Sequence, residues 1–373
     1  MSDTPGQDQQ QNMRRVAMTS LAGTSIEWYD FFLYGTAAAV IFPKAFFPQE
    51  LPTMVLLIIS FSTLAVGFLA RPLGGIIFGH FGDRIGRKRT LVVALMMMGV
   101  ATTLIGFLPT YASIGIAAPL LLVALRFIQG LAIGGQWGGA MLLVTESAPS
   151  DQRGWYGAYA QAGAPMGVIL ANLAFIGVSS SMSDEAFMDW GWRLPFIASI
   201  VLIGISMYIQ LKIEDTEAFR SLSDAQSTDD KSAAAVERSP VVEAIRKYPK
   251  RIMLAAGAFL SVQVTFYILI AFVIAYGMNS PSVELSRDTM LTAVLVAAAI
   301  MVPTQFYFSG LSDRIGRKNV YRWGAILTGI WGFILFPLID TGDPMMIGFA
   351  ITMGLLFLGM QYGPQAAYFT ELF

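Results

Sequence analysis

The sequence predicts an all-α polytopic membrane protein whose helices fall into two groups, and three observations carry that reading. Apolar residues make up 55% of the 373 and Asp, Glu, Lys and Arg only 13%, outside the usual balance of a soluble domain. The apolar residues fall in blocks of about 18 or more, long enough to cross a bilayer as helices. A charged motif recurs in the second half of the chain, the mark of an internal repeat.

A hydropathy window of about 19 residues gives ten spans. The first, 17–43, follows a polar segment closed by Arg14 and Arg15 and superficially resembles a signal peptide. It is long enough to span and holds Glu27 and Asp30, so it reads as a retained helix. Spans 53–80, 90–108, 115–144, 155–178 and 192–211 complete a first group. Spans 251–277, 289–309, 320–339 and 344–368 form a second. The expected divisions are a tail over 1–16, a six-helix bundle over 17–211, a linker over 212–249 and a second bundle over 250–373.

The linker is the only long polar insertion, rich in Ser, Asp, Ala and Lys. From Pro240, residues Val241, Val242, Ile245 and Tyr248 share one face opposite Glu243, Arg246 and Lys247. Such a stretch lies on a membrane surface or packs as a nascent helix on the helix ends. Lys and Arg near span ends are retained on the cytoplasmic side. A cytoplasmic N-terminus puts Arg14, Arg15, Arg84, Arg87, Lys88, Arg89, Arg153, Arg314, Arg317, Lys318 and Arg322 inside, leaving little beyond Lys44, Arg193 and Arg287 outside.

The chain has no cysteine, which excludes disulfides and thiolate metal sites, and its single histidine, His80, excludes two-histidine metal or haem chemistry. Gly82-Asp83-Arg84-Ile85-Gly86 lacks the spacing and the ending of a phosphate loop. No nucleophile–base or metal-ligand constellation supports an enzyme. No metal, cofactor or nucleic acid is expected.

The repeat fixes the architecture. GHFGDRIGRKR from Gly79 is echoed by GLSDRIGRKNV from Gly310, with Asp83 and Asp313 230 positions apart. Gln136-Trp137-Gly138-Gly139 and Thr145-Glu146 are echoed by Gln361-Tyr362-Gly363-Pro364 and Thr370-Glu371, at a separation of 225. Two parallel six-helix halves belong to secondary transporters. Counterparts of the fifth and sixth spans are expected near 380–436, beyond Phe373, so a complete chain would have twelve helices.

Charges at membrane depth cost several kcal/mol and point to function. Glu27 lies about 15 Å into its helix, with Asp30 on the same face at i+3. Burial and mutual nearness favour the protonated form of at least one carboxylate, which suits a proton carrier. A structural pair with arginine is the plainer alternative. Arg126, mid-way along the fourth span, has no basic counterpart at Ile351. Its guanidinium can neutralise Glu27 or Asp30, or hold a substrate carboxylate by two parallel hydrogen bonds. Arg71 is expected near the end of the second span, snorkelling towards the headgroups as a gate or anchor. Tyr29, Tyr34, Gln161 and Asn172 are weaker binding candidates. Gly130, Gly134 and Gly138, with Gly135 and Gly139, give faces for close helix approach, and Pro165 marks a kink in the fifth span.

The doubled motif D-R-x-G-R-K, preceded in the first copy by G-x-x-x and in the second by G-x-x, resembles the signature loop of the major facilitator superfamily. Ile26-Glu27-Trp28-Tyr29-Asp30-Phe31, Arg71-Pro72-Leu73-Gly74-Gly75, Arg126-Phe127-Ile128-Gln129-Gly130 and Trp190-Gly191-Trp192-Arg193-Leu194-Pro195-Phe196 are similar to its metabolite:proton symporter family, on the shikimate transporter branch. The resemblance implies the major facilitator fold, alternating access, and import of a small organic acid by proton symport. Glu27 and Asp30 would couple protons. Arg126, Gln136, Trp137, Tyr29, Tyr34, Asn172, Gln361 and Tyr362 would bind substrate in the cavity lined by the fourth and tenth helices. Arg71, Asp83, Arg84, Arg87, Arg153, Asp313, Arg314 and Arg317 would gate, the second loop meeting the start of the fifth helix near Arg153 and Gly154. The expected partners are a small-molecule substrate, protons and the lipid bilayer, with the chain acting as a monomer in the cell's inner membrane. One departure stands out: Gly134-Gly135-Gln136 replaces the family's Gly-Gly-Glu, removing a titratable group. A proton-independent facilitator or exchanger is therefore the competing expectation, with a non-transporting membrane sensor more remote.

Overall fold

The computed structural model describes the backbone of residues 5–85, 87–134, 144–145, 148–214 and 247–371, without the side chains of 5–12, 15, 79–80, 82–85, 87–89, 91, 206 and 209–214. Gln136, Trp137, most of the expected linker and the side chains of Asp83, Arg84 and Arg87 lie outside that description. Ten long helices follow one another among the described residues. They are α1 (Pro5–Val40), α2 (Thr53–Ile85), α3 (Arg87–Phe107), α4 (Ala117–Gly134) and α5 (Arg153–Ser179). After these come α6 (Arg193–Glu214), α7 (Pro249–Asn279), α8 (Arg287–Ile315), α9 (Arg317–Ile339) and α10 (Pro344–Thr370).

Local chemistry explains the ends. Pro249 and Pro344 open their helices at positions where a missing N–H costs nothing. Ser286 caps α8 by accepting from the Thr289 amide at 3.2 Å, and Asp343 caps α10 by accepting from Met345 at 2.9 Å. A π turn over Ile268–Phe272 interrupts α7, while α5 runs continuously through Pro165. The first helix starts at Pro5, well before the expected boundary at 17, because Gln7, Gln9, Gln10 and Gln11 favour helix without an apolar signal.

Among the described residues seven helices are long and apolar enough to cross a membrane, and α6 joins them if the segment Asp184–Gly191, bent 51° from it, is counted with it. Glu27 and Asp30 lower the hydropathy of α1, and the basic start of α3 leaves only Val92–Phe107 as its apolar stretch. Outward-facing Leu69, Met253, Leu254, Phe333 and Met345 are more than 70% exposed, a surface that lipid covers at no cost.

Within the first half α1 packs on α5 and α6, and α2 on α4; α8 and α9 flank α10 in the second. The halves meet where α1 faces α7 and α5 faces α8. The α2–α4 seam needs glycine. A Cβ on Gly74 would strike the Leu131 carbonyl, one on Gly130 the Gly67 carbonyl, and one on Gly134 the Arg71 carbonyl. Backbone cannot yield to such contacts as a flexible side chain can. Gly134→Ala is therefore expected to cut the yield of monodisperse protein and its melting temperature, whereas Gly204→Ala, with open space around its Cβ, leaves both unchanged.

Candidate functional site

The centre of the molecule is an aromatic cluster holding two arginines. Arg126 is 1% exposed, with its guanidinium carbon 4.4 Å from the Phe31 ring centre and 4.3 Å from that of Tyr34. Arg71 stands 4.6 Å from the same Phe31 ring and 4.7 Å from Phe68. Rings from three helices close the cluster: Tyr267 of α7 meets Phe31 at 5.7 Å and Phe68 at 5.2 Å, edge to face. The Tyr267 hydroxyl lies in the field of both guanidinium groups. Gly67 makes room, since a Cβ there would press on the Arg126 side chain.

This placement corrects the expected snorkelling of Arg71. The apolar span of α2 ends at Phe78, about 10 Å beyond Arg71, yet the guanidinium turns inward with its Nε and Nη2 buried. Stacking on Phe31 and Phe68 replaces the headgroup contact. In each arginine Nε and Nη2 are buried without a hydrogen-bond partner, and among the described residues no carboxylate pairs with either. Arg126 spends only Nη1, which donates to Gln129 Oε1 at 3.1 Å. Two neighbouring cations thus keep unpartnered donors on one aromatic cluster, an arrangement with the chemistry to hold an anion.

The carboxylates divide. Asp30 is 1% exposed, and neither of its oxygens has a hydrogen-bond partner. The hydroxyls of Ser199 on α6 and Thr102 on α3 face it without reaching hydrogen-bond geometry. Glu27 is half-buried and partnered. The expected Arg126–Asp30 pair is not formed in this conformation, because the guanidinium is held on aromatic faces.

The remaining candidates scatter. Tyr29 donates to the Pro195 carbonyl at 3.0 Å and Tyr34 to Thr63 at 2.7 Å, so both hydroxyls serve packing. Gln361 donates sideways to Thr328 on α9 at 2.9 Å. Tyr362 is buried, stacked on Phe266 with centroids 5.7 Å apart. Asn172 accepts weakly from Thr36 at 3.4 Å and leaves its Nδ2 unpartnered, beside a narrow gap between the halves lined by Phe32, Gly35, Thr36 and Tyr267. Gln161, Gln305 and Gln365 also keep buried amide atoms without partners at the α5–α8–α10 meeting.

Among the described residues, contacts tie the two halves together on both faces. On the basic face Asp313 accepts from the amides of Gly154 at 3.0 Å and Trp155 at 2.9 Å and pairs with Arg317, which reaches Glu371 at 3.3 Å. Arg153 is half-buried with Nε unpartnered, while Arg314 is exposed. On the opposite face Arg287 pairs with Asp184 at 2.7 Å and Asp288 at 3.0 Å and covers Phe187. Asp288 also accepts from Ser179 of α5 at 3.2 Å. Sequence reasoning missed this second closure. Its signal was Arg287, one of the few basic residues on that side.

The description Major Facilitator Superfamily matches residues 21–373. An inner membrane metabolite transport protein of Escherichia coli K12 is 40% identical over 367 residues, covering 96% of this chain and 80% of that protein. The shikimate transporter of the same organism is 40% identical over 361 residues, with 96% and 80% covered. Among solved structures, the E. coli xylose transporter in a partially occluded inward-open conformation superimposes with a TM-score of 0.71 at 16% identity, covering 96% of this chain and 88% of that one, a likeness of fold. The chain belongs to the major facilitator superfamily and is a multi-pass membrane transporter of small metabolites, not an enzyme.

Proposed function

We propose that the chain imports a small organic acid together with a proton, by alternating access of its two helix bundles in an inner membrane, with the N-terminus cytoplasmic and the chain acting as a monomer. The observation that carries this reading is the pair of buried guanidinium groups, Arg71 and Arg126, with unpartnered donors on one aromatic cluster. A carboxylate entering between them accepts parallel charge-assisted hydrogen bonds and offsets the repulsion of the two cations. The similarity to a shikimate transporter supports an acid as cargo. Asp30 supports proton coupling: a carboxyl buried without a cation or donor is an expensive place for charge and a ready place for a proton. Asn172, Gln161 and Tyr362 stand around the same inter-bundle region and suit hydroxyl groups of the cargo.

Uptake into vesicles tests the reading. An inward proton gradient is expected to raise accumulation of shikimate or another acid from a panel above its level without the gradient. Equal accumulation with and without the gradient would leave the exchanger reading in its place.

A further inference from the structure

Between the two halves of the proposed site runs a chain of hydrogen bonds that neither the family nor its relatives' names assign. Arg126 Nη1 donates to Gln129 Oε1 at 3.1 Å, and Gln129 Nε2 donates to Thr102 Oγ1 at 2.7 Å. Thr102 in turn donates to the Met98 carbonyl at 2.8 Å, and on its other side faces the Asp30 carboxylate. Arg126, Gln129, Thr102 and Asp30 are all buried, out of reach of solvent. We propose that Gln129 and Thr102 are positioning residues, a strut through which the charge on Asp30 sets the orientation of the Arg126 guanidinium towards the cargo.

The strut has one branch point. A threonine hydroxyl has a single proton to give, and here it goes to Met98 while Asp30 receives none. An ionised carboxylate is the stronger acceptor and draws that proton across. The turn of the hydroxyl moves the lone pair on which Gln129 Nε2 rests. Gln129 has no freedom to absorb the change, because its Oε1 is committed to Arg126. No proton passes along the strut: an amide in this setting transmits position, and the proton stays on Asp30.

The surroundings leave Asp30 as the group that switches. On its own helix Tyr29 lies in its field and Glu27 sits one turn away, partnered. From α3 and α6 the facing groups are the hydroxyls of Thr102 and Ser199. On α2 and α4, Arg71 and Arg126 stand on the Phe31 ring, and α7 contributes Tyr267. The titratable residues described on α5, Arg153, Tyr156 and Tyr159, lie at its end on the basic face.

This inference rests on the proton-symport reading, and the experiment separates the two. Vesicles containing the full chain are assayed with shikimate in two ways: accumulation driven by a proton gradient, and exchange at equal pH on both sides. Thr102→Val, which keeps the Arg126–Gln129 bond, is expected to lower gradient-driven accumulation by about tenfold or more while keeping exchange within about twofold, Gln129→Leu to weaken both by removing the partner of Arg126, and Thr102→Ser to behave as the unaltered chain. Variants that keep the full gradient response overturn the strut and leave symport standing. So does joint loss of exchange and accumulation in Thr102→Val, or failure of Thr102→Ser to rescue. An unaltered chain that takes up neither shikimate nor any other acid of the panel, or ignores the gradient, overturns the parent reading and the strut with it.

Discussion

Arg126→Ala is expected to raise the half-saturation concentration for the transported acid by roughly 150-fold, about 3 kcal/mol, while leaving the protein folded. The size follows from what the side chain offers. Its Nε and Nη2 are desolvated and unpartnered, so a carboxylate arriving there gains two charge-assisted bonds without first breaking any protein contact. The folded state, by contrast, loses little. Removing a buried cation that shares a ring with a second cation relieves repulsion, which offsets the loss of the stacking on Phe31 and Tyr34, about 1–2 kcal/mol, and of the hydrogen bond to Gln129, about 1–2 kcal/mol. The melting temperature in detergent therefore stays near that of the unaltered chain. Arg126→Lys keeps the charge but presents a point donor in place of the fork, so it recovers part of the affinity and not the whole. Uptake kinetics of the three proteins check this, and a half-saturation constant for Arg126→Ala within a few fold of normal would remove Arg126 from the site.

The contrast between Arg126 and Arg71 shows where sequence reading reached and where it stopped. Hydropathy and the repeat were enough for the all-α polytopic fold class, because a bilayer imposes length and apolarity on each span separately. Arg126 in mid-span was visible as an anomaly for the same reason. Arg71 was not, because its depth depends on where α2 ends and on rings from α1 and α7 that no local pattern brings together. Noting Phe68 one turn before Arg71 would have hinted at it. Glu27 and Asp30 looked equivalent at i and i+3, yet one is half-buried and partnered while the other is sealed against α3 and α6. Gln361 matched Gln136 by repeat arithmetic, but its rotamer turns to Thr328. Periodicity places a residue on a helix; which neighbour its side chain chooses is decided by packing.

The closures on the two faces differ in strength, and that difference sets the second large effect. Asp313 accepts from two backbone amides at the first turn of α5, where the helix dipole favours an anion, and is braced by Arg317. Arg287 on the opposite face pairs with Asp184, whose side chain is 87% exposed, an arrangement that contributes no more than about 1 kcal/mol. Asp313→Ala is thus expected to tip the balance of conformations towards opening at the basic face by about 3 kcal/mol, on the order of 100-fold, and Asp184→Ala to shift it only a few fold in the other direction. The absence of native cysteine makes the change readable. Ser309, buried and beside Gly154, serves as the reporter: Ser309→Cys is expected to label slowly with a membrane-impermeant maleimide applied from the basic face, and far faster once Asp313→Ala is added. Gly154→Val reaches the same end by a different route, since a side chain there would press on Arg317, the Ser309 carbonyl and Asp313 itself. Agreement between the two variants assigns the effect to the lost contact between α8 and α5, whereas unchanged labelling in both would mean that this contact closes nothing.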